Sequence, residues 1–289
     1  MKDKLFIAFQ YLVPQHGLSR LAGWFANTSI GWIKNPMTRW FVKQYGINMN
    51  EALETDPSAY ASFNDFFTRA LKDGARPICD EERAIVFPAD GAISQIGDIQ
   101  YGRVFQAKGQ DYSLLELVGG DESIAKPFED GKFAVVYLSP KDYHRVHMPL
   151  GGTLKTMTHV PGDLFSVNET TADNVPRLFA RNERVVCTFD TDAGPMALIL
   201  VGAMIVASIE TVWAGQITPE ARTIKTIRYG SRKMHKFNLG DEMGRFKLGS
   251  TAIVLFGKDA INWSEHLQAG TPTRMGEQMG EINSADTAS

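Results

Sequence analysis

The sequence predicts an α+β protein in which an N-terminal amphipathic helical module precedes a mixed, mostly antiparallel β core. Residues 1–75 place apolar side chains at the i, i+3, i+4 spacing of amphipathic helices. From about residue 84 the chain changes to short β-rich runs separated by glycine, proline and aspartate. With 289 residues, 44% of them hydrophobic, the chain can bury a core of ordinary size.

The helical half contains three local signals. Leu18–Phe25 carries one apolar stripe of a helix. Asn35 followed by Pro36 predicts the start of the next helix, with Asn35 as its cap and Pro36 in its first turn. Ser62 is the expected cap of a further helix that runs to Gly74.

The β half is a series of runs rich in β-branched and aromatic residues. The uncharged stretch 193–209 is shorter than the ~20 residues that a membrane-spanning helix needs, so buried strands are expected there. Residues 283–289 read as a solvated tail. The predicted strands are Ala84–Phe87, Phe133–Leu138, Leu154–Val160, Arg184–Phe189, Ala197–Val206 and Thr251–Phe256.

Charge is unevenly distributed along the chain. Residues 1–50 carry a net charge of +5, although the whole chain carries −3, and they include three of the five tryptophans, Trp24, Trp32 and Trp40. Basic residues with interfacial aromatic rings are typical of a surface that binds anionic lipid. The alternative is that these helices pack on the protein's own core.

Other classes of site find little support. Cys79 and Cys187 are far apart in the sequence and give no disulfide framework, which suits a reducing compartment, and Cys187 is expected in the core. No cluster has metal-ligand spacing, so no metal is expected, and the chain carries no nucleic-acid-binding motif.

The sequence Leu248-Gly249-Ser250-Thr251 predicts a place where the chain cuts itself. Gly249 lacks a Cβ and can adopt strained geometry, which leaves its carbonyl open to the Ser250 hydroxyl. A serine needs a base, and upstream the chain offers His147 and Asp90. Together they form an acid–base–nucleophile set in the order Asp, His, Ser.

Several motifs in one order resemble the phosphatidylserine decarboxylase family, in its bacterial membrane-bound, pyruvoyl-dependent type. The resemblance covers nearly the whole chain. The motifs are Phe63–Arg69, Pro88–Gly91, Lys108-Gly109, Tyr112–Leu114, Tyr143–Pro149, Pro161–Asn168, Glu242–Gly244 and Leu248–Thr251.

The resemblance implies a proenzyme that cleaves itself between Gly249 and Ser250 into a large chain (1–249) and a small chain (250–289) that completes the β core. Ser250 would become a covalent pyruvoyl group, derived from its own skeleton, that forms a Schiff base with phosphatidylserine during decarboxylation to phosphatidylethanolamine. Residues 1–75 would be a membrane-docking module and residues 76–289 the catalytic core.

The resemblance also assigns roles to single residues. Asp90, His147 and Ser250 form the self-cleavage triad, and His144 donates a proton during decarboxylation. We expect the two histidines on a turn, where a spacing of three places them on one face. The remaining histidines, His16, His159, His235 and His266, are expected to be structural.

The implied partners are a phospholipid substrate, an anionic membrane surface, and the small chain bound to the large chain as a heterodimer; further dimerisation is left open. The implied location is peripheral, on the cytoplasmic side of the cell membrane. Three rival functions remain: a pyruvoyl decarboxylase of soluble amino acids, a serine hydrolase, and a non-catalytic membrane scaffold. The hydrolase would lack the Gly-x-Ser-x-Gly elbow.

Overall fold

The α+β class is confirmed by a computed structural model, which describes residues 2–204, 208–218, 222–230, 234–247 and 250–283. The long helices lie in the first 45 residues, and the rest is mainly antiparallel strands. The helices are α1 Lys2–Leu12, α2 Gln15–Ala26, α3 Gly31–Tyr45, α4 Phe63–Phe67, α5 Leu114–Leu117, α6 Glu122–Ala125, α7 Glu169–Asn174 and α8 Leu178–Arg181, with 3₁₀ turns at Met49–Glu51 and Lys126–Phe128.

Two predicted helix bounds are wrong. Helix α3 begins at Gly31 rather than after Asn35, so Pro36 lies inside it. The earlier turn forms because the buried Lys34 anchors it, donating from Nζ to the carbonyls of Ser58 and Tyr60.

The Ser62 cap is confirmed, since its side chain accepts from the Asp65 amide. Helix α4 nevertheless stops at Phe67 instead of Gly74. The backbone of residues 70–72 bonds instead to residues 51–53, for example Leu53 N to Ala70 O at 2.9 Å.

The predicted strands are present, with bounds that shift by a few residues. Residues 205–207, which include the end of the predicted run Ala197–Val206, and residues 284–289 in the predicted tail lie outside the described residues. The strands are β1 Ala84–Val86, β2 Gly91–Asp98, β3 Arg103–Ala107, β4 Gln110–Ser113, β5 Lys132–Leu138, β6 Arg145–His147, β7 Gly152–Val160, β8 Arg184–Thr191, β9 Gly194–Val201, β10 Ser208–Thr211, β11 Gly215–Gln216, β12 Lys225–Arg228, β13 Lys236–Phe237, β14 Glu242–Lys247, β15 Ser250–Phe256, β16 Ile261–Trp263, β17 Pro272–Thr273 and β18 Gln278–Ile282.

The largest sheet has the order β12-β7-β8-β9-β15-β5-β2-β17, with β13 also on β7. A second sheet, β11-β10-β14-β6, contributes Val146 and Phe246 to the hydrophobic core on one face of the first. The opposite face packs under a second core that contains helices α5 to α8. Cys187 is fully buried, as predicted.

Strand β15 is central to the large sheet, paired with β9 on one side and β5 on the other. All seven of its residues are buried. The segment predicted to become the small chain therefore supplies a middle strand of the core.

Gly91 opens β2 at a point where no side chain fits. A Cβ there would overlap the Tyr137 carbonyl oxygen of β5. Glycine permits this close approach, which brings the preceding Asp90 against the end of β5.

Candidate active site

Ser250 is the first residue of β15 and lies opposite Leu138, the last residue of β5. The serine is fully buried, and its Oγ has no hydrogen-bond partner among the described residues. Leu248 and Gly249 lie outside the described residues, so the structure shows one side of the predicted cleavage site.

His144 is the last residue of the connection from β5 to β6. That connection is a tight turn in which the Asp142 carboxylate accepts from both the amide and the hydroxyl of Ser139, each at 2.7 Å. The Asp142 carbonyl then accepts from His144 Nδ1 at 2.8 Å. The Phe246 amide donates to the His144 carbonyl at 3.1 Å, which ties His144 to the strand that leads to Ser250.

The His144 ring is fully buried, with the Phe67 ring of α4 at 4.0 Å between centroids. Because a carbonyl can only accept, Nδ1 carries the proton and Nε2 is the basic atom. His144 Nε2 has no partner among the described residues. Burial lowers the pKa of His144 to about 3, so the ring is neutral at physiological pH.

His147 lies on strand β6, not on a turn, so the expectation of a shared helical turn for the two histidines is wrong. The strand forms because residues 145–147 pair with β14. His147 Nδ1 donates to the Gly240 carbonyl at 2.8 Å, and Nε2 accepts from the Tyr143 hydroxyl at 3.0 Å. Burial lowers the pKa of His147 and raises that of Tyr143.

Asp90 lies beside this histidine but is held by other groups. Arg76 donates to both carboxylate oxygens at 2.6–3.0 Å, and the Met275 amide donates to Oδ1 at 2.9 Å. Among the described residues no hydrogen bond joins Asp90 to His147. The two segments still touch, because the His147 amide donates to the Pro88 carbonyl at 2.8 Å.

Sequence reasoning missed three groups that position the predicted site: Arg76, the Tyr143 hydroxyl and the Gly240 carbonyl. Tyr143 stands four residues before His147, and that spacing was the one signal available. Arg76 and Gly240 come from distant parts of the chain, and only the fold brings them together.

The other histidines hold structure together or lie at the surface. His16 Nε2 bonds the Gly162 carbonyl at 3.0 Å, and His159 pairs with the buried Glu183 at 3.0 Å. In the described ranges, no three His, Cys, Asp or Glu side chains are grouped as a metal ion would require.

The N-terminal helices expose an unusual amount of apolar surface. Leu12 is 84% exposed, Trp32 79% and Trp24 67%, and Trp40 is also exposed. None of the described helices is both long and apolar enough to cross a membrane. Helix α1 is fixed to the core by Gln10, whose side chain contacts Ser166 and Thr171.

Known proteins match this chain over nearly its whole length. The family model of phosphatidylserine decarboxylase matches residues 63–281, and a second model, described as PSD, matches residues 5–46. The phosphatidylserine decarboxylase proenzyme of Pseudomonas fluorescens strain Pf-5 is 64% identical over 97% of this chain and 98% of its own length. That of strain Pf0-1 is 61% identical over 98% of this chain and 100% of its own length. The chain therefore belongs to the phosphatidylserine decarboxylase family.

Proposed function

We propose that this chain is a self-processing proenzyme that decarboxylates phosphatidylserine to phosphatidylethanolamine, with a pyruvoyl group made from Ser250 as its cofactor. The observation that carries the proposal is Ser250 itself. The chain belongs to this family, and Ser250 is the first residue of a central strand. Its buried hydroxyl has no hydrogen-bond partner among the described residues. An unpaired buried hydroxyl costs folding free energy, and a chemical role explains why it is kept there.

Self-cleavage begins when Ser250 Oγ attacks the Gly249 carbonyl carbon. A C–O bond forms, the amide C–N bond breaks, and the proton from Oγ ends on the released nitrogen. Removal of the Ser250 α-proton then breaks the Cβ–O bond and expels Gly249 as a carboxylate. The dehydroalanine that remains tautomerises and is hydrolysed, releasing ammonia and leaving the pyruvoyl group.

His147 is the proposed base in this step. Its Nδ1 is committed to the Gly240 carbonyl, so Nε2 takes the proton. The Tyr143 hydroxyl is hydrogen-bonded to Nε2. It donates its own proton to Nε2 as it accepts the proton of the Ser250 hydroxyl. Burial lowers the pKa of His147 and keeps it neutral and ready to accept.

Asp90 acts on His147 through its charge. Its carboxylate favours the protonated ring that forms during proton transfer, although its hydrogen bonds go to Arg76 and Met275. This differs from a serine-protease triad, in which the carboxylate bonds the histidine Nδ1.

The two products of cleavage are expected to stay together as a heterodimer. Strand β15 lies between β9 and β5 with every residue buried, so separating the chains would expose a full strand of the core. Burial of that much apolar surface is strongly favourable.

When present, the pyruvoyl ketone supplies an electron sink for the bond that breaks as the substrate carboxylate leaves. His144 Nε2 accepts the proton that the substrate ammonium loses and later gives it to the carbon that has lost carbon dioxide. The nearby substrate carboxylate favours protonation of the ring. After that carboxylate has left, burial favours release of the proton.

The N-terminal helices would dock the enzyme peripherally on the cytoplasmic side of an anionic cell membrane, with 1–75 as the docking module and 76–289 as the catalytic core. Exposed tryptophans on basic helices support this, because indole rings favour the headgroup region. Free Cys79 and Cys187 suit a reducing compartment.

The test is a product assay with carboxyl-labelled phosphatidylserine in vesicles, beside labelled serine and phosphoserine. We expect labelled carbon dioxide and phosphatidylethanolamine from the lipid alone, with loss of activity on hydroxylamine treatment. Release from free serine but not from lipid would support a soluble amino-acid decarboxylase instead. Loss of activity on chelation, restored by metal, would contradict the pyruvoyl mechanism.

A further inference from the structure

A cleft of about 260 Å³ is lined by Arg145 on one face of β6. Arg145 and His147 are two residues apart on this strand and share that face. Arg145 lies opposite Arg245 of β14. Residues 53–70 cover this face and complete the cleft, with Arg69 on its wall.

Arg69 is the unusual residue of this cleft. It is only 5% exposed, and its Nε and Nη1 have no hydrogen-bond partner among the described residues. Its Nη2 reaches the Lys141 carbonyl at 3.4 Å, a long and weak contact, and the guanidinium lies 5.5 Å from the centre of the Phe66 ring. These buried N–H groups lack an acceptor among the described residues, and a ligand in the cleft can supply one.

The neighbouring charges are already paired. Arg145 bonds Glu242 at 2.8 Å and the Thr68 carbonyl at 2.9 Å, and Arg245 bonds the same glutamate at 2.8 Å. The two carboxylates on the cleft wall are used locally: Asp65 accepts from the Ser62 hydroxyl and Glu54 from the Asp56 amide. Within the described part of the chain, Arg69 is thus a cation without a carboxylate partner.

We propose that Arg69 binds the phosphodiester of the phospholipid headgroup, an assignment that rests on the proposed function. A planar guanidinium fork suits phosphate oxygens, and a buried arginine remains charged at neutral pH. The substrate carboxylate is the poorer choice, because stabilising it would oppose its departure as carbon dioxide, whereas the phosphodiester keeps its charge throughout.

The position of Arg69 relative to the histidines supports the same assignment. Arg69 is two residues from Phe67, whose ring packs on His144. A headgroup with its phosphate on Arg69 has its amine a few bonds away, within the surroundings of His144. Binding at Arg69 would orient the reacting end of the lipid without taking part in the chemistry.

The binding test uses the uncleavable full chain, Ser250→Ala, and three probes: dihexanoyl phosphatidylethanolamine, dihexanoylglycerol and inorganic phosphate. Adding Arg69→Gln should lower the affinity for dihexanoyl phosphatidylethanolamine about ten- to hundredfold, because a charge-assisted hydrogen bond to phosphate is lost. The affinity for dihexanoylglycerol should not change, because this probe has no phosphate. Arg103→Gln is the matched control, since Arg103 pairs with Asp111 on the β3–β4 hairpin.

The proposal would be overturned if Ser250→Ala bound phosphatidylethanolamine with the same affinity with and without Arg69→Gln. It would also be overturned if Arg69→Gln lowered the affinity for dihexanoylglycerol by as much as the affinity for phosphatidylethanolamine. If Arg69→Gln lowered only the affinity for inorganic phosphate, the site would bind free phosphate and not a headgroup.

In the cleavable chain, Arg69→Gln should still self-cleave, which reports a correct fold, and should raise KM for phosphatidylserine far more than it lowers kcat. A fall in kcat with KM unchanged would overturn the headgroup assignment. The binding arm needs no cofactor, so it can succeed even if the proposed decarboxylation fails.

Discussion

Removing the Arg76 cation should destabilise the fold through Asp90. The Arg76 side chain is 10% exposed and that of Asp90 11%, and two guanidinium nitrogens reach both carboxylate oxygens. Its third nitrogen bonds Glu51 at 2.8 Å. Arg76→Met keeps similar bulk, removes the charge and leaves the Asp90 carboxylate buried beside an apolar side chain.

The magnitude follows from the burial of the pair. Breaking a buried ion pair by removing one partner costs about 3–5 kcal/mol of unfolding free energy. We expect about 3 kcal/mol, because Asp90 keeps the Met275 amide and Glu51, at 33% exposure, can be hydrated. At about 2–4 °C per kcal/mol, Tm should fall by roughly 6–12 °C.

The assay is a double-mutant cycle of Arg76→Met and Asp90→Asn in the uncleavable chain, followed by denaturant unfolding. The coupling free energy should be about 2 kcal/mol or more. The matched exposed pair, Arg103 with Asp111, has 47% exposure on both side chains and should couple by less than about 1 kcal/mol. A coupling of less than about 0.5 kcal/mol between Arg76 and Asp90 would refute the reasoning.

Tyr143→Phe should slow self-cleavage at least about tenfold, because proton transfer to the base loses its carrier; a gel time course showing the parent rate would exclude that role. Buried His144 has a pKa of about 3 folded, against about 6.5 unfolded, so only the unfolded chain takes up its proton as pH falls below about 6.5. Unfolding free energy of the uncleavable chain should therefore drop by up to about 1.4 kcal/mol per pH unit from there downward, and His144→Gln should flatten that slope; an unchanged slope would argue against it. Trp32→Ser should weaken sedimentation with anionic vesicles, while Tyr101→Ser, at a control residue that is even more exposed, should not; equal binding of both variants would place docking elsewhere.

Local patterns predicted local structure well. Apolar β-rich runs predicted the core strands because a strand buried on both faces is mostly apolar, as Ala252–Phe256 in β15 is. The Ser62 cap was predictable because its partner is three residues away. Pro36 gave the wrong start for helix α3. Its first turn is stabilised by Lys34, which bonds to the carbonyls of residues 58 and 60, and no local pattern reveals that contact.

In the candidate site, too, the residues marked by local motifs were predictable and their distant partners were not. Ser250, His144, His147 and Asp90 were predicted as site residues from motif order, and in the structure they lie around the ends of β5 and β6. Their hydrogen-bond partners were not predictable, because contacts such as Arg76 with Asp90 join segments that only the tertiary fold brings together.

Intact-mass measurement of the purified chain tests self-cleavage most directly. Two chains are expected, ending at Gly249 and beginning at residue 250, with the smaller one lighter by one ammonia than a peptide that begins with serine. Ser250→Ala should remain one chain. A single unprocessed chain from the parent protein, or a small chain that keeps the Ser250 amine, would contradict a pyruvoyl group made from this residue.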